Sequence, residues 1–397
     1  YDTTLNQLWV IYSLEGSPYN HKVASCTFSG TTVTNNGTPI VIDAGHSNLS
    51  LTQNSVVFNE TDGRAIACCS DPDNSYRTDF YKLTISGSTI TATAASNSTA
   101  AGGRTGSSSQ RCVWDSENDR IVMFSYKDSM LLAQAFSYND STPTVALTAG
   151  PLPISVTAPI SSATKSHNAN YDDVNKVTHV GYKGKTDNEA VVIAVRLIGG
   201  TDFQFGPPFG LSGKTQVSNT YEPLINFAVD QTSGNVYATY TGNDDNVRGV
   251  PLGIGQNLEY VFAGADITYN YTTGTGPNGT AQNCGPYTGG KIIVCWANNS
   301  NGYDGTGNIY TMPTGQTTAP NFFGISEAAI SGGSAGTITI IGGTNTDVSG
   351  LTRGSDVYLT PAGAYTTRDL GYGKIGTATA ATEIILTNTG NQAQSGA

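Results

Sequence analysis

Apolar residues recur in short runs along this chain, and an arrangement of two such runs returns at regular distances. Each copy has the end of one apolar run, an Asp or Asn in most copies, a short polar loop and a second apolar run. The copies are "YDTTLNQLWVIYS", "VFNETDGRAIACCS", "VWDSENDRIVMFSY", "NYDDVNKVTHVGY", "AVDQTSGNVYATY" and, more loosely, "CGPYTGGKIIVCW". Short apolar runs bounded by polar turn residues are typical of paired β-strands.

The spacing of the copies defines a repeat. The residue directly before the second run marks each copy, at Gln7, Arg64, Arg120, Lys176, Asn235 and Lys291. Successive markers are 57, 56, 56, 59 and 56 residues apart. A period near 57 residues that is kept over six copies indicates repeated structural units.

Two further apolar runs complete most units. The third run includes "DFYKLTIS", "SMLLAQAFS" and "AVVIAVRLI", and the fourth includes "STITATAA" and "TPTVALTA". Four strands in each repeat are the signature of a β-propeller blade. We therefore predict an all-β fold with a six-bladed propeller over residues 1–315, or a seven-bladed one if a further unit precedes it.

The rhythm changes after "NIYTMPTGQTTAP". The remainder contains short apolar runs separated by Gly-rich turns, which predicts a compact β module over residues 316–397. The boundary is expected near Pro320.

The first unit is expected to begin inside its first strand. Tyr1 and Asp2 align with the aromatic residue and the acid or amide that end the first run of the other units. Two explanations stay open: further sequence precedes Tyr1, or a late segment near 310–325 supplies the strand beside Leu8–Tyr12.

The C-terminal module resembles a known one. An aromatic-Gly-Ile start, "AISGG", "GLTRGSDVYLTPAGAYTT" and "GKIGTA" occur in the order found in a small C-terminal β module of tailed-phage structural and fibre proteins, especially marine ones. The upstream repeats look like those found beside that module. The resemblance implies a virion location, either in a tail or fibre or as a particle decoration. It also implies other virion proteins as partners, a homo-oligomer or larger assembly, and a host-surface glycan or protein as receptor.

Charge and composition exclude several partners. Lys and Arg number 19 against 30 Asp and Glu, a formal net charge of −11, so nucleic acid would be repelled. No stretch of eighteen apolar residues is present, so we expect no membrane insertion.

Cysteine and histidine spacing does not predict a metal site. The six cysteines, at positions 26, 68, 69, 112, 284 and 295, lack paired zinc-ligand spacing and are predicted to be buried, with one or two disulfides at most. The four histidines are His21, His46, His167 and His179, and none is paired at a ligand spacing. His179 lies in an apolar run and is predicted to be a core residue.

The acid that recurs before each polar loop is interpreted as a turn residue. A short carboxylate or amide there can accept hydrogen bonds from backbone N–H groups two residues on. The positions are Asp2, Asn59, Asp115, Asp172 and Asp230.

Catalysis is not predicted. No convincing nucleophile elbow is present, and the conserved turn of sialidases is absent. A secreted glycosidase-like enzyme is the alternative, since propellers can hold paired carboxylates near the axis, and Glu222 is its best candidate. No cofactor is expected, because the acidic loops at 71–79, 242–246 and 298–308 lack the ligand spacing of an EF-hand calcium site.

Tyrosine-containing loops favour binding. Tyr offers flat contact area at little entropic cost, and adjacent Asn and Asp can hydrogen-bond hydroxyl groups. The candidate ligand-binding residues are Tyr19, Tyr76, Tyr269, Tyr271 and Tyr303. The sequence thus predicts a non-enzymatic attachment or structural protein of a virion, with a cell-surface adhesin as a third reading.

Overall fold

The computed structural model of the chain is all-β in the part it describes, as predicted. The described residues are 7–14, 19–29, 32–46, 55–59, 63–71, 77–87, 89–97, 110–127, 130–154, 167–183, 190–211, 225–230, 234, 236–241, 247–255, 257–262, 267–269, 283–287, 291–298, 304–311, 324–326, 337–340, 342–359, 365–367 and 374–387. Within these ranges no helix has the length and hydrophobicity needed to span a membrane.

Six consecutive groups of strands, called units 1 to 6, follow the sequence repeat. Unit 1 contains β1 (Gln7–Leu14), β2 (Tyr19–Ser29), β3 (Thr32–Asn35) and β4 (Ile40–His46). Unit 2 contains β5 (Ser55–Asn59), β6 (Arg64–Asp71), β7 (Arg77–Ser86) and β8 (Thr89–Ala94), and β9 (Ser96–Asn97) follows it. Unit 3 contains β10 (Gln110–Asp115), β11 (Arg120–Lys127), β12 (Met130–Asn139) and β13 (Thr144–Pro153).

The later strands continue in the same order. Unit 4 contains β14 (His167–Asp172), β15 (Val177–Lys183), β16 (Ala190–Ile198), β17 (Asp202–Phe205) and β18 (Phe209–Gly210). Unit 5 contains β19 (Asn226–Val229), β20 (Val236–Thr241), β21 (Val247–Ile254), β22 (Tyr260–Phe262) and β23 (Ile267–Tyr269). Unit 6 contains β24 (Asn283–Tyr287), β25 (Lys291–Asn298) and β26 (Asp304–Thr311). The C-terminal strands are β27 (Gly324–Ser326), β28 (Ile338–Ile340), β29 (Thr344–Asn345), β30 (Asp356–Leu359), β31 (Tyr365–Thr366), β32 (Lys374–Ala380) and β33 (Glu383–Leu386).

Each unit forms one antiparallel sheet with its strands in chain order. Units 2 and 3 have the predicted four strands, β5-β6-β7-β8 and β10-β11-β12-β13. In units 1, 4 and 5 the fourth position is divided between two short strands that both pair with the third strand. β9 adds a parallel pairing to β13, so the segment after unit 2 joins the sheet of unit 3. In unit 6 the described residues supply three strands.

Neighbouring sheets bury both faces of their strands. The first strands β5, β10, β14, β19 and β24 contact one another in chain order. Ile121 and Met123 of β11 pack in a core shared with unit 2, whereas Val122 and Phe124 of the same strand pack in a core shared with unit 4. Similar cores lie between units 1 and 2 and between units 4 and 5. Burial on both faces explains why these strands are continuously apolar in the sequence.

The C-terminal strands have a core of their own. The sheet has the order β29-β33-β32-β30-β31, and it buries Val348, Leu351, Val357, Ile375 and Ile384. The predicted boundary at 315/316 lies outside the described residues.

The start of the chain matches the sequence alignment as far as it is described. β1 corresponds to the second strand of the other units, because it begins where β6 and β11 begin in the repeat. Tyr1 and Asp2 lie outside the described residues, as does 312–323 of the late segment proposed to pair beside Leu8–Tyr12. That pairing stays a prediction.

Candidate ligand-binding face

The strand order gives every unit two distinct ends. At one end, called the turn end, the first strand connects to the second and the third connects to the fourth. At the other, called the loop end, the second strand connects to the third, the fourth strand finishes and the next unit begins. The two ends carry different chemistry.

Asp172 organises the turn end of unit 4. Its Oδ1 accepts hydrogen bonds from the backbone N–H groups of Val174 at 2.9 Å and Asn175 at 3.0 Å. Its Oδ2 accepts from the Asn175 side chain at 2.6 Å, and the same amide donates to the carbonyl of Gly234 in unit 5 at 3.1 Å. The predicted role of this acid as a turn residue is therefore confirmed.

Asp115 has the same role in unit 3. Its Oδ1 accepts from the backbone N–H of Asn118 at 3.1 Å and its Oδ2 accepts from the side chain of Asn118 at 2.9 Å. The hydroxyl of Tyr171, in the next unit, donates to Asp115 Oδ1 at 2.9 Å. The prediction needs one correction here: the backbone N–H donor lies three residues after the acid, not two.

A left-handed residue closes each of these turns. The φ angles are 62° at Gly63, 55° at Asp119, 55° at Lys176 and 70° at Gly234. These residues are 56, 57 and 58 apart, a more regular spacing than that of the sequence markers. The marker at Lys176 is one residue out of phase, because Arg64 and Arg120 begin their strands whereas Lys176 precedes β15.

Hydrogen bonds at the turn end link neighbouring units. The Asn59 side chain donates to Asp119 at 3.2 Å, and the Ser116 hydroxyl donates to Asp173. With the Asn175–Gly234 bond, these contacts place the turn ends of units 2 to 5 side by side. The recurring carboxylates Asp115 and Asp172 therefore have a structural role, since they stabilise turns that contact the next unit. For Asp230, the backbone carbonyl accepts from Gly234 N–H at 2.7 Å. Asp2 lies outside the described residues.

His179 is a core residue, as predicted. Its Nε2 lies 3.3 Å from Oδ2 of Asp172, and its Nδ1 is hydrogen-bonded to the hydroxyl of Tyr260. Burial by itself raises the pKa of Asp172, but hydrogen bonds from His179 and Asn175 outweigh it and hold that pKa below its ordinary value. Asp172, His179 and Tyr260 are all buried, so this chain of polar groups joins the turn to the interface of units 4 and 5.

Two of the predicted binding tyrosines lie at the loop end. Tyr19 is the first residue of the third strand of unit 1, β2. Tyr269 is the last residue of β23 in unit 5 and pairs with Val247, the first residue of the third strand β21. Although one residue begins a strand and the other finishes one, the antiparallel pairing brings both to the same end of their sheets.

The other three tyrosines lie outside the described residues. In the sequence, Tyr76 is bonded to Arg77 and Tyr303 to Asp304, which are the first residues of the third strands β7 and β26. Tyr271 follows Tyr269 by two residues. Glu222 also lies outside the described residues, as do 72–76, 242–246 and 299–303 of the acidic loops considered for calcium.

The loop ends of units 2 to 4 also lie side by side. The Thr78 hydroxyl at the start of the third strand of unit 2 donates to the side chain of Gln110, the first residue of unit 3. Cys112 N–H donates to Ser55 Oγ at 3.1 Å. His167, the first residue of β14, is hydrogen-bonded to the carbonyl of Phe124 at 3.2 Å. Equivalent ends of these sheets therefore form one continuous face.

His167 is buried completely at this end. Burial, with the positive charge of Arg111 nearby, lowers the pKa of His167 to about 3, and the bond to the Phe124 carbonyl offsets only part of that effect. The imidazole is therefore neutral at physiological pH. His21 is buried as well, and His46 lies in β4.

Metal and disulfide chemistry can be stated for the described part of the chain. No group of three or more His, Cys, Asp or Glu there could hold a metal ion. Cys26, Cys68, Cys69 and Cys112 are buried, as predicted, and unbridged.

Two signals in the sequence were not used in the predictions. An Asp followed three residues later by Asn occurs at the same place in units 3 and 4, and this pattern marks the turns that reach the next unit. In the sequence, Tyr19, Tyr76 and Tyr303 each begin or directly precede the third strand of a unit, a regularity that the repeat alignment could have shown. The contact of His179 with Tyr260, 81 residues away, has no comparable local signal.

No protein-family model and no curated protein matches the sequence. Among solved structures, the chain is similar to AofleA from Arthrobotrys oligospora, with 8% identity over 77% of this chain and 86% of the other and a TM-score of 0.46. A protein from Lactobacillus plantarum has 12% identity over 96% of this chain and 98% of its own, with a TM-score of 0.44. The SapL1 lectin in complex with alpha methyl fucoside has 10% identity over 77% and 97%, with a TM-score of 0.40. At this level of similarity, function has to be argued from the chain's own residues.

Proposed function

We propose that the chain is a six-bladed β-propeller with a small C-terminal β module, and that it binds a surface glycan or protein through the loop end of its blades. The propeller is supported by repeated antiparallel sheets whose first strands contact one another in chain order. It is also supported by hydrogen bonds between neighbouring units at equivalent positions about one repeat apart. Such contacts arise when sheets are related by a regular rotation about an axis.

One observation carries the binding role: both of the candidate tyrosines that the structure describes, Tyr19 and Tyr269, lie at the same end of their sheets. In the sequence, Tyr76 and Tyr303 directly precede Arg77 and Asp304, the first residues of two third strands. Tyrosines from several units at one end would offer a ligand repeated flat apolar surface. Neighbouring Asn, Asp and Gly in these loops can hydrogen-bond the hydroxyl groups of a sugar.

The opposite end supports a non-enzymatic role. Asp115 and Asp172, the carboxylates that recur there, are occupied by backbone and side-chain donors. A glycosidase needs two carboxyl groups about 5–10 Å apart and free to act on the substrate. The glycosidase alternative therefore requires other acids, such as Glu222.

The resemblance of the C-terminal module adds a location, the virion, to this proposal. The resemblance of the C-terminal residues implies that the chain is part of a virion, where the propeller would face the host cell. Purification of intact particles tests this setting, since the protein should co-sediment with them in fixed stoichiometry. Recovery of the protein only from particle-free culture supernatant would contradict the virion setting and favour a secreted protein.

A glycan array with matched variants tests the binding face. The wild-type chain is compared with Tyr19→Ala/Tyr269→Ala and with Ile198→Ala, whose side chain is half exposed at the turn end. We expect the double variant to lose at least about tenfold in affinity, because truncation of a tyrosine that acts as a binding hot spot costs about 2 kcal/mol or more. The Ile198 variant should bind like the wild type.

Three results would contradict the proposal. Equal affinity of the wild type and the double variant would exclude a loop-end site that uses these tyrosines. An array and a panel of host cells that both show no binding would exclude attachment. Release of free sugar from the bound glycans would favour the glycosidase alternative.

A further inference from the structure

Two cysteines from different units meet in the core between units 2 and 3. Cys68 lies on β6, the second strand of unit 2, and Cys112 lies on β10, the first strand of unit 3. Both belong to the same buried cluster. The Cys112 thiol is also among the groups that raise the pKa of Cys68.

The backbone around them is fixed by pairing. Ser55 of β5 lies directly opposite Cys68 on β6, and its Oγ accepts a hydrogen bond from the N–H of Cys112 at 3.1 Å. Ser55 therefore touches the backbone of both cysteine-bearing strands. Two thiols of one core cluster, on strands that both adjoin Ser55, are placed for a disulfide, which needs Cα atoms about 4.4–6.8 Å apart.

The other described cysteines have different surroundings. The thiol of Cys26 donates to the side chain of Asn35 at 3.2 Å. Cys69 is next to Cys68 in sequence but points to the opposite face of β6, into the core shared with unit 1. Among the described cysteines, Cys68 and Cys112 are the two that belong to one core cluster.

We propose that Cys68 and Cys112 form a disulfide between units 2 and 3 when the protein meets an oxidising disulfide such as oxidised glutathione. One protein thiolate attacks the glutathione disulfide and releases one reduced glutathione. The second protein thiolate then attacks the resulting mixed disulfide, which forms the Cys68–Cys112 bond and releases a second reduced glutathione. Two protein thiols are oxidised, one glutathione disulfide is reduced, and the two thiol protons pass to the released glutathione molecules.

The pair is expected to react slowly. Burial and the neighbouring thiols of Cys112 and Cys69 raise the pKa of Cys68 well above its ordinary value. Because the thiolate is the reacting species, the reaction depends on rare opening of the interface. Incubation for many hours is therefore needed.

Peptide mapping of the full-length protein tests the proposal. The folded protein is incubated with oxidised glutathione, free thiols are blocked with N-ethylmaleimide in denaturant, and the protein is digested without reduction. We expect one dominant cross-linked pair, with Cys68 joined to Cys112. We also expect the melting temperature to rise by about 5 °C, because the cross-link joins positions 44 residues apart and restricts the unfolded chain.

Variants and a denatured sample provide the controls. Cys112→Ser should abolish both the cross-link and the rise in melting temperature, whereas Cys69→Ser should leave both unchanged. Oxidation of the unfolded protein should give mixed pairings, which shows that the folded structure selects the pair. The proposal is overturned if Cys68 and Cys112 of the folded wild type stay alkylated after oxidation, or if either joins a different cysteine. Since the mapping uses the wild-type chain, a variant that fails to fold leaves this result decisive.

Discussion

The imidazole of His167 is enclosed at the loop end, where the first strand of unit 4 meets the sheet of unit 3. Its hydrogen bond to the Phe124 carbonyl holds it in place, and Arg111 makes a positive charge on it unfavourable. A neutral histidine buried in this way makes the stability of the protein depend on pH.

We expect acid to destabilise the folded chain through His167. The pKa of His167 is about 3 in the folded protein and 6.5 in a model peptide, so below pH 6.5 the unfolded chain binds a proton that the folded chain excludes. Its contribution to stability is complete above pH 6.5 and is lost as the pH falls toward 3. At pH 5 the loss is about 2 kcal/mol. The lowered pKa of Asp172 affects stability only at still lower pH, once the pH falls below 3.8, the ordinary pKa of an Asp side chain.

Urea unfolding between pH 8 and pH 5 measures this effect. His167→Gln keeps an N–H donor for the Phe124 carbonyl and removes the titrating group. The free energy of unfolding of this variant should vary less with pH than that of the wild type. Identical pH dependence in the two proteins would show that His167 does not carry the effect.

At the scale of elements, the turn between the first and second strands also forms hydrogen bonds to the next unit. In unit 4, the side-chain amide of Asn175 donates one hydrogen bond to Asp172 and another to the Gly234 carbonyl of unit 5. The Asn118 side chain does the same between Asp115 and the carbonyl of Leu197. The same amide therefore stabilises its own turn and binds that turn to the neighbouring sheet.

Asn175→Ala should destabilise the fold by about 1–2 kcal/mol, since it removes two hydrogen bonds of a half-buried side chain. Val174→Ala is the matched control, because Val174 lies in the same turn and is 43% exposed. We expect this control to change the free energy of unfolding by less than about 0.5 kcal/mol. Equal effects of the two substitutions in urea titrations would mean that the amide contributes nothing beyond the turn itself.

At the scale of the whole molecule, stability depends on how closely the sheets approach one another. Gly181 in β15 leaves space for Ile225 at the start of unit 5, and a Cβ on Gly181 would lie 2.6 Å from Ile225 Cγ2. Both residues are completely buried between units 4 and 5. The absence of a side chain at position 181 thus sets the distance between units 4 and 5.

Gly181→Ala should destabilise the protein by about 1–3 kcal/mol through overpacking. The penalty should shrink when Ile225 is replaced by Ala, because the Cγ2 atom that clashes is then absent. A double-mutant cycle in denaturant measures this coupling. The same penalty for Gly181→Ala in both backgrounds would contradict the packing explanation.

The sequence by itself determined the all-β class, the repeat of about 57 residues and the turn role of Asp115 and Asp172. These features are local, since strand patterns and short-range hydrogen bonds within a turn depend on residues close together in the chain. The burial of His179 could likewise be predicted from its apolar run. The five tyrosines could be named as candidates, but composition alone could not place Tyr19 and Tyr269 at the same end of their sheets.

Only the tertiary structure decided which residues meet between units. His179 is hydrogen-bonded to Tyr260, 81 residues away, and Cys68 shares a core cluster with Cys112, 44 residues away. Such contacts depend on how whole sheets are rotated and spaced. The packing of side chains between all the sheets sets that geometry. Antiparallel pairing likewise decided that Tyr269, at the end of a fourth-position strand, lies at the same end of its sheet as the start of the third strand.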